Sequence, residues 1–225
     1  MKHKLITIVL AFFWITSLAL AQMDKATGTV TNDATMARLR LATYVYGGPN
    51  VDWYVNGQIA VNGGQEQVNI PTLYVNGYLF LEPGSYSVTV VATGKALEEA
   101  LMGPVAVELA VGHRYTLAMM GQLEDSSIKP LLIDETAAEQ QAGASPSDSV
   151  LILVNNLAGA ATIDAMWDGQ VLVKDVPYGG FAVAVQSAGT HALKVTGPGD
   201  PPGRFFDNSA FQVQAEPGQT SILSF

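Results

Sequence analysis

The sequence predicts an all-β protein made of two tandem antiparallel β-sandwich domains behind an export signal. Three observations predict it. First, Val51-Asp52-Trp53-Tyr54-Val55-Asn56-Gly57-Gln58 returns, at one constant offset, as Ile163-Asp164-Ala165-Met166-Trp167-Asp168-Gly169-Gln170. Pro83-Gly84-Ser85-Tyr86-Ser87-Val88-Thr89-Val90 is echoed by Ala188-Gly189-Thr190-His191-Ala192-Leu193-Lys194-Val195. A repeat this long is a duplicated domain, because solenoid units run to roughly 20–50 residues. Second, each copy ends a short alternating run on Asn-Gly or Asp-Gly, the pairs that supply the positive φ angles of a tight hairpin turn. Third, strand signals recur about every 8–12 residues, the spacing of sandwiches and barrels.

The N-terminus reads as an export signal. Lys2, His3 and Lys4 are followed by the uncharged apolar run Leu5–Leu20 and by Ala19-Leu20-Ala21, a small-x-small cleavage site. The signal peptide is assigned to 1–21, with Gln22 opening the mature chain. The run is short of the roughly 20 residues a membrane-spanning helix needs. No Cys follows it, so bacterial lipoprotein attachment is excluded. Residues 22–36 are small and polar and read as a flexible lead-in.

From Arg38 the chain alternates. Leu39, Leu41, Thr43 and Val45 share one strand face, and Arg38, Arg40, Ala42 and Tyr44 share the other. The loop Gly47-Gly48-Pro49-Asn50 leads into the repeated strand. Pro83-Gly84, Val111-Gly112 and Pro217-Gly218 mark later turns. Lys95–Met102 is the one helical pattern, at most two turns long. Residues 136–148 (Thr-Ala-Ala-Glu-Gln-Gln-Ala-Gly-Ala-Ser-Pro-Ser-Asp) show no alternation and read as a linker. The domains are then 37–135 and 149–225. The first copy continues beyond Tyr115–Met120 to a further strand, Ile128–Ile133. The second shows no strand after Ser221–Phe225, so its sheet is expected to be one strand short or completed by another segment.

The chain has no Cys and a formal net charge of −9, which deepens once Lys2 and Lys4 leave with the signal. Packing alone must hold two domains of about 100 residues, a size that buries well over half the chain surface. The acidity argues against nucleic acid and anionic membrane surfaces as partners.

Several motifs in order carry a resemblance. Val51-Asp52-Trp53-Tyr54-Val55-Asn56-Gly57, Leu81-Glu82-Pro83-Gly84-Ser85-Tyr86, Ala110-Val111-Gly112-His113-Arg114-Tyr115-Thr116 and Lys129-Pro130-Leu131-Leu132 are similar to the bacterial secreted family catalogued as domain of unknown function number 4397. The resemblance covers nearly all of 38–135 and is weaker over 150–225. It implies an immunoglobulin-like β-sandwich, often present twice behind a signal peptide, and no activity or catalytic residue.

Candidate chemistry is sparse. Trp53 and Trp167 share strand faces with aliphatic residues, which sends both into the core. Tyr44, Tyr46 and Tyr54 lie on the opposite faces and are the candidates for a sugar-stacking patch. Asp52 and Asp164 hold the same repeat position; short acids there are expected to accept backbone N–H bonds from the preceding loop rather than bind calcium, which needs six or more oxygens. His113 and His191 occupy different repeat positions and, without Cys, suggest no metal cluster. Ser126-Ser127-Ile128-Lys129 matches a serine–lysine motif that requires a helix, whereas these residues lead into a strand. Phe205 and Phe206, adjacent in a Pro/Gly-rich loop, are candidate partner contacts.

The expected function is therefore that of a secreted or periplasmic, non-enzymatic interaction or structural module without cofactor or metal. Its partner is a protein or glycan at the cell surface. A carbohydrate-binding module and self-assembly by strand addition are the alternatives. No part of the sequence names the ligand.

Overall fold

The computed structural model describes residues 34–45, 47–124, 127–157, 159–197 and 210–225. The expected signal peptide, most of the lead-in, Tyr46, Phe205 and Phe206 lie outside the described residues. Two compact units divide at Thr136/Ala137. The described chain is all-β apart from one α-helix and one 3-10 turn, and no sheet closes into a barrel.

In the first unit the strands are β1 (Ala37–Thr43), β2 (Val51–Val55), β3 (Gln58–Ile59), β4 (Val61–Asn62), β5 (Gln65–Glu66), β6 (Tyr74–Val75), β7 (Leu79–Leu81), β8 (Gly84–Ala92), β9 (Ala100–Leu109), β10 (Arg114–Met120) and β11 (Lys129–Asp134). One sheet has the order β11-β10-β1-β6, with β7 also paired to β1. Its centre is the parallel pair β1–β10, in register Arg38↔Arg114 to Thr43↔Met119. A second sheet has the order β3-β2-β8-β9, and β4–β5 form a separate hairpin. Leu39, Leu41, Trp53, Val55, Val88, Val90, Leu117 and Met119 fill the core between these strands. The expected alternation holds in the first half of β1. Its second half is buried on both faces, Ala42 included.

The second unit contains β12 (Asp148–Val154), β13 (Thr162–Trp167), β14 (Gln170–Pro177), β15 (Phe181–Ser187), β16 (Gly189–Thr196), β17 (Phe211–Ala215) and β18 (Thr220–Ser224). Its sheets are β15-β12-β18 and β14-β13-β16-β17. Again one sheet is centred on a parallel pair, here β12–β18. Among the described residues β18 pairs only with β12, whereas β10 of the first unit also pairs with β11. Trp167 joins Leu151, Leu153, Ile163, Leu193 and Val195 in the core.

Both hairpin turns follow from local chemistry. Asn56 and Gly57 have φ of 51° and 75°, and Asp168 and Gly169 have 49° and 77°, the two successive positive angles a type I′ turn requires. Two segments depart from the sequence reading. The stretch read as a linker opens with helix α1 (Glu135–Ala142), rich in the strong helix formers Ala, Glu and Gln. The helical pattern at Lys95–Met102 shrinks to the single turn Leu97–Glu99, because Ala100–Met102 are taken up as the start of β9 on β8.

Candidate functional site

The most exposed apolar segment of the first unit lies on the chain's return from β5. After β5 the backbone is tied to β2: Val51 and Ile70 exchange both N–H···O bonds at 2.8 Å, and the Trp53 N–H donates to the Gln67 carbonyl at 2.9 Å. The Asn69 N–H donates to Asp52 Oδ1 at 2.8 Å. A few residues later the chain is tied to the other sheet. Tyr74 and Val75 pair with Thr43 and Ala42, and the Asn76 N–H donates to the Leu41 carbonyl at 2.9 Å. Residues 71–73 must therefore cross from one sheet to the other between two fixed ends. Leu73 turns the corner at φ +57°, a left-handed conformation that is rare for a bulky side chain. The result is a run of three apolar side chains facing water: Leu73 61 % exposed, Tyr74 48 % and Val75 40 %. Strand β6 also forms the edge of its sheet. The two anchored ends impose the left-handed corner, and it leaves these side chains at an exposed edge.

The same unit holds a closed polar cluster. Glu135 is 1 % exposed. Its Oε1 accepts from Thr116 Oγ1 at 2.6 Å and Arg40 Nε at 3.1 Å. Its Oε2 accepts from Tyr78 OH at 2.6 Å and Arg40 Nη2 at 3.1 Å. Arg40 Nε also donates to Thr116 Oγ1 at 2.7 Å, and the guanidinium lies 5.0 Å from the Tyr78 ring centroid. Burial, then the bond to the Glu135 carboxylate, drives the Tyr78 pKa far above the ordinary phenol value. Four donors fill the acceptor sites of one carboxylate.

In the second unit Asp168 is the corresponding busy carboxylate. Its Oδ1 accepts the Ala192 N–H at 2.9 Å and its Oδ2 lies 2.7 Å from His191 Nδ1. These bonds, the backbone one first, hold its carboxyl below the usual carboxylate range. The His191 ring stacks on Trp167 with centroids 4.7 Å apart. His113 is likewise paired, 2.8 Å from Asp134. Among the described residues no group of three or more His, Asp and Glu is placed to hold a metal ion.

The structure scatters the residues singled out from sequence. Tyr44 is 5 % exposed, which corrects its candidacy as a stacking platform. The sheet face it lies on is itself buried there, with Ala42 and Ala118, and this burial pushes the Tyr44 phenol up to about 12. Tyr54 is half-buried on β2 beside Thr89 and Ile59. Tyr46, Phe205 and Phe206 lie outside the described residues. Trp53 and Trp167 are both buried. Asp52 accepts backbone N–H bonds from Asn69 and Gly94 and a bond from Thr93 Oγ1, so its donors come from later loops and not the preceding one. Asp164 accepts from the Asp175 N–H at 2.8 Å. Sequence reasoning missed Leu73–Val75 and Glu135. The only local signal for the first was Pro71 closing a loop ahead of three consecutive apolar residues.

A search of curated proteins returned no match. Among solved structures, the Bacillus anthracis TIE protein is similar at 14% identity, over 85% of this chain and 33% of that chain, with a TM-score of 0.26. This chain thus spans 33% of that structure's length. Residues 37–146 match the family model described as Domain of unknown function (DUF4397), a match that covers most of the first compact unit and helix α1.

Proposed function

We propose that the protein is an exported, non-enzymatic contact protein of the bacterial envelope or its surroundings, built of tandem immunoglobulin-like β-sandwiches. It acts by presenting the Leu73–Tyr74–Val75 edge to a partner. The observation that carries this reading is that edge: three exposed apolar side chains in a row, on an edge strand, held by a left-handed Leu. Contiguous exposed apolar surface marks interaction sites. The Glu135 and Asp168 carboxylates, whose hydrogen bonds are spent within the fold, support a non-catalytic role.

Tandem duplication is supported by a latch made twice. Asn56 Oδ1 accepts the Ser87 N–H at 2.9 Å, and Asp168 Oδ1 accepts the Ala192 N–H at 2.9 Å. The turn residue of the hairpin thus clamps the neighbouring strand in both units. The parallel pairs β1–β10 and β12–β18 support the same reading.

The partner is a protein or a glycan. Tyr74 favours the glycan as second reading, because an exposed aromatic ring is the surface on which a sugar ring packs. The test is retention on cells. Labelled wild-type protein added to cells that make it should stay bound through washing, and a Leu73→Ser, Tyr74→Ser variant should wash off. Competition by soluble glycans would select the glycan. Equal retention of both proteins, or turnover of a hydrolase substrate abolished by one polar substitution, would overturn the proposal.

A further inference from the structure

Each unit has a sheet centred on a parallel strand pair, and the two differ in what lies beyond that pair. In the first unit Tyr115, Leu117 and Met119 of β10 face the core. The outer side of β10 carries β11, in register Thr116↔Ile133 and Ala118↔Leu131. β11 also lies against β9 of the facing sheet, and its Leu132 packs on the core. β10 is accordingly buried from Tyr115 to Met120. In the second unit β18 stands where β10 stands, and β17 where β9 stands. Among the described residues no strand lies beyond β18. Every residue of β18 is only half-buried, and Phe211 of β17 is 52 % exposed.

The register shows which backbone groups are left over. The Val150 N–H donates to the Gln219 carbonyl at 2.9 Å, and the Phe225 N–H to the Val154 carbonyl at 3.1 Å. Residues that bond a given neighbour alternate along a strand. Gln219, Ser221, Leu223 and Phe225 therefore turn their peptide groups to β12, and Thr220, Ile222 and Ser224 turn theirs away. Thr220 Oγ1 donates to Glu139 of α1 at the start of this edge. Past it, the N–H and C=O groups of Ile222 and Ser224 are bonded by nothing among the described residues. Such an edge is a template for another strand. Beside it Leu223, Phe225 and Val213 are only partly buried against the core, and the Phe211 ring lies 6.3 Å from that of Phe225. Together they make an apolar strip for the inward side chains of an added strand.

We propose that residues 26–31 of a second copy of this chain add to β18, as the outer strand that β11 supplies in the first unit. Ala26-Thr27-Gly28-Thr29-Val30-Thr31 alternates small or apolar residues with three β-branched Thr, a period-two pattern about as long as β18. Ala26, Gly28 and Val30 go to the apolar strip and the Thr side chains to water. Residues 32–36 remain as the tether to β1. Donation between copies needs no particular arrangement of the two units within a chain, whereas donation within one chain does. Donor and acceptor surfaces differ, so the contact is head-to-tail and builds open chains or rings in place of a closed two-fold dimer. The site is separate from the Leu73–Val75 edge and does not depend on it.

The test is sedimentation velocity of the exported chain, which should show oligomers growing beyond the dimer as concentration rises. A Thr29→Pro, Val30→Pro protein loses two N–H donors of the added strand and should associate at least about tenfold more weakly. Ile222→Pro removes an N–H that bonds nothing in the single copy, and should act likewise in a protein with wild-type circular dichroism. Leu73→Ser, Tyr74→Ser should assemble as the wild type does, which separates this contact from the β6 edge. The chain has no Cys, so introduced thiols report the contact directly. Thr29→Cys and Ser224→Cys chains mixed with a short bismaleimide should give a covalent dimer that neither gives alone. A monomer at concentrations up to about 1 mM would overturn the proposal. So would undiminished association of the Thr29→Pro, Val30→Pro protein, loss of assembly in Leu73→Ser, Tyr74→Ser, or a crosslink formed within single dilute chains carrying both cysteines.

Discussion

Replacing Glu135 by Ala should be among the most damaging single changes in the first unit. The substitution leaves the Arg40 guanidinium, only 18% exposed, without its counter-ion, and strips the Thr116 and Tyr78 hydroxyls of their acceptor. Breaking a buried pair by removing one partner costs about 3–5 kcal/mol. With a urea m-value of roughly 1–3 kcal/mol/M for a small domain, the midpoint should fall by about 2 M. Unfolding can be followed by Trp53 fluorescence in a Trp14→Phe, Trp167→Phe background, so that the buried Trp53 reports the first unit alone. The exposed pair Lys95–Glu99, at 3.1 Å, is the internal control, and Lys95→Ala should leave stability close to that of the wild type. A second arm separates the penalty of an orphaned charge from the net value of the network. Replacing Arg40, Glu135, Thr116 and Tyr78 together by Leu, Leu, Val and Phe should recover most of the loss, because apolar replacement of a buried ionic group is often neutral. A loss under about 1 kcal/mol for Glu135→Ala would place the cluster with surface pairs and refute the reasoning.

Three further outcomes follow from the same geometry. Leu73→Gly should leave the unit as stable or raise its stability by up to about 1 kcal/mol, since a left-handed residue other than Gly carries roughly 1–2 kcal/mol of strain and little Leu73 burial is lost; thermal unfolding checks it. Tyr44 ionises at about 12 in the fold against 10.0 unperturbed, so the unfolded chain releases that proton first; its stabilisation, complete below pH 10, should fade as pH rises towards 12, and a Tyr44→Phe protein should lose less stability across that window in alkaline urea titrations. For Asp168 the sign is opposite. Its folded pKa lies below the unperturbed value of an aspartate, so its contribution is present above that value and lost as pH falls through the folded pKa; carboxyl NMR should place its midpoint below that of Asp168 in urea-unfolded protein.

What the sequence revealed was local. Asn56-Gly57 and Asp168-Gly169 dictate their turns because only a few residues accept two positive φ angles in succession. Period-two alternation placed Trp53 and Trp167 correctly in the core, because successive side chains on a strand point to opposite faces. Alternation gives a face but not what that face meets, so Tyr44 pointed away from the core yet is buried. The helix over Glu135–Ala142 was legible in its composition, which the search for alternation passed over. The Glu135 cluster was not legible at all. Its partners Arg40, Tyr78 and Thr116 are 95, 57 and 19 residues away in sequence, and only the β1–β10–β11 register assembles them. Leu73 gave no sign of its left-handed backbone either, because the anchoring of its neighbours to two sheets imposes it.

Site-specific photocrosslinking tests the contact role most directly. A benzoylphenylalanine placed at Tyr74 in the full chain, expressed in its own cells and irradiated, should yield a discrete higher-mass adduct. The same probe at Val171, equally exposed on the second unit, should not. No adduct at Tyr74, or the same adducts from both positions, would contradict a protein that works through its β6 edge.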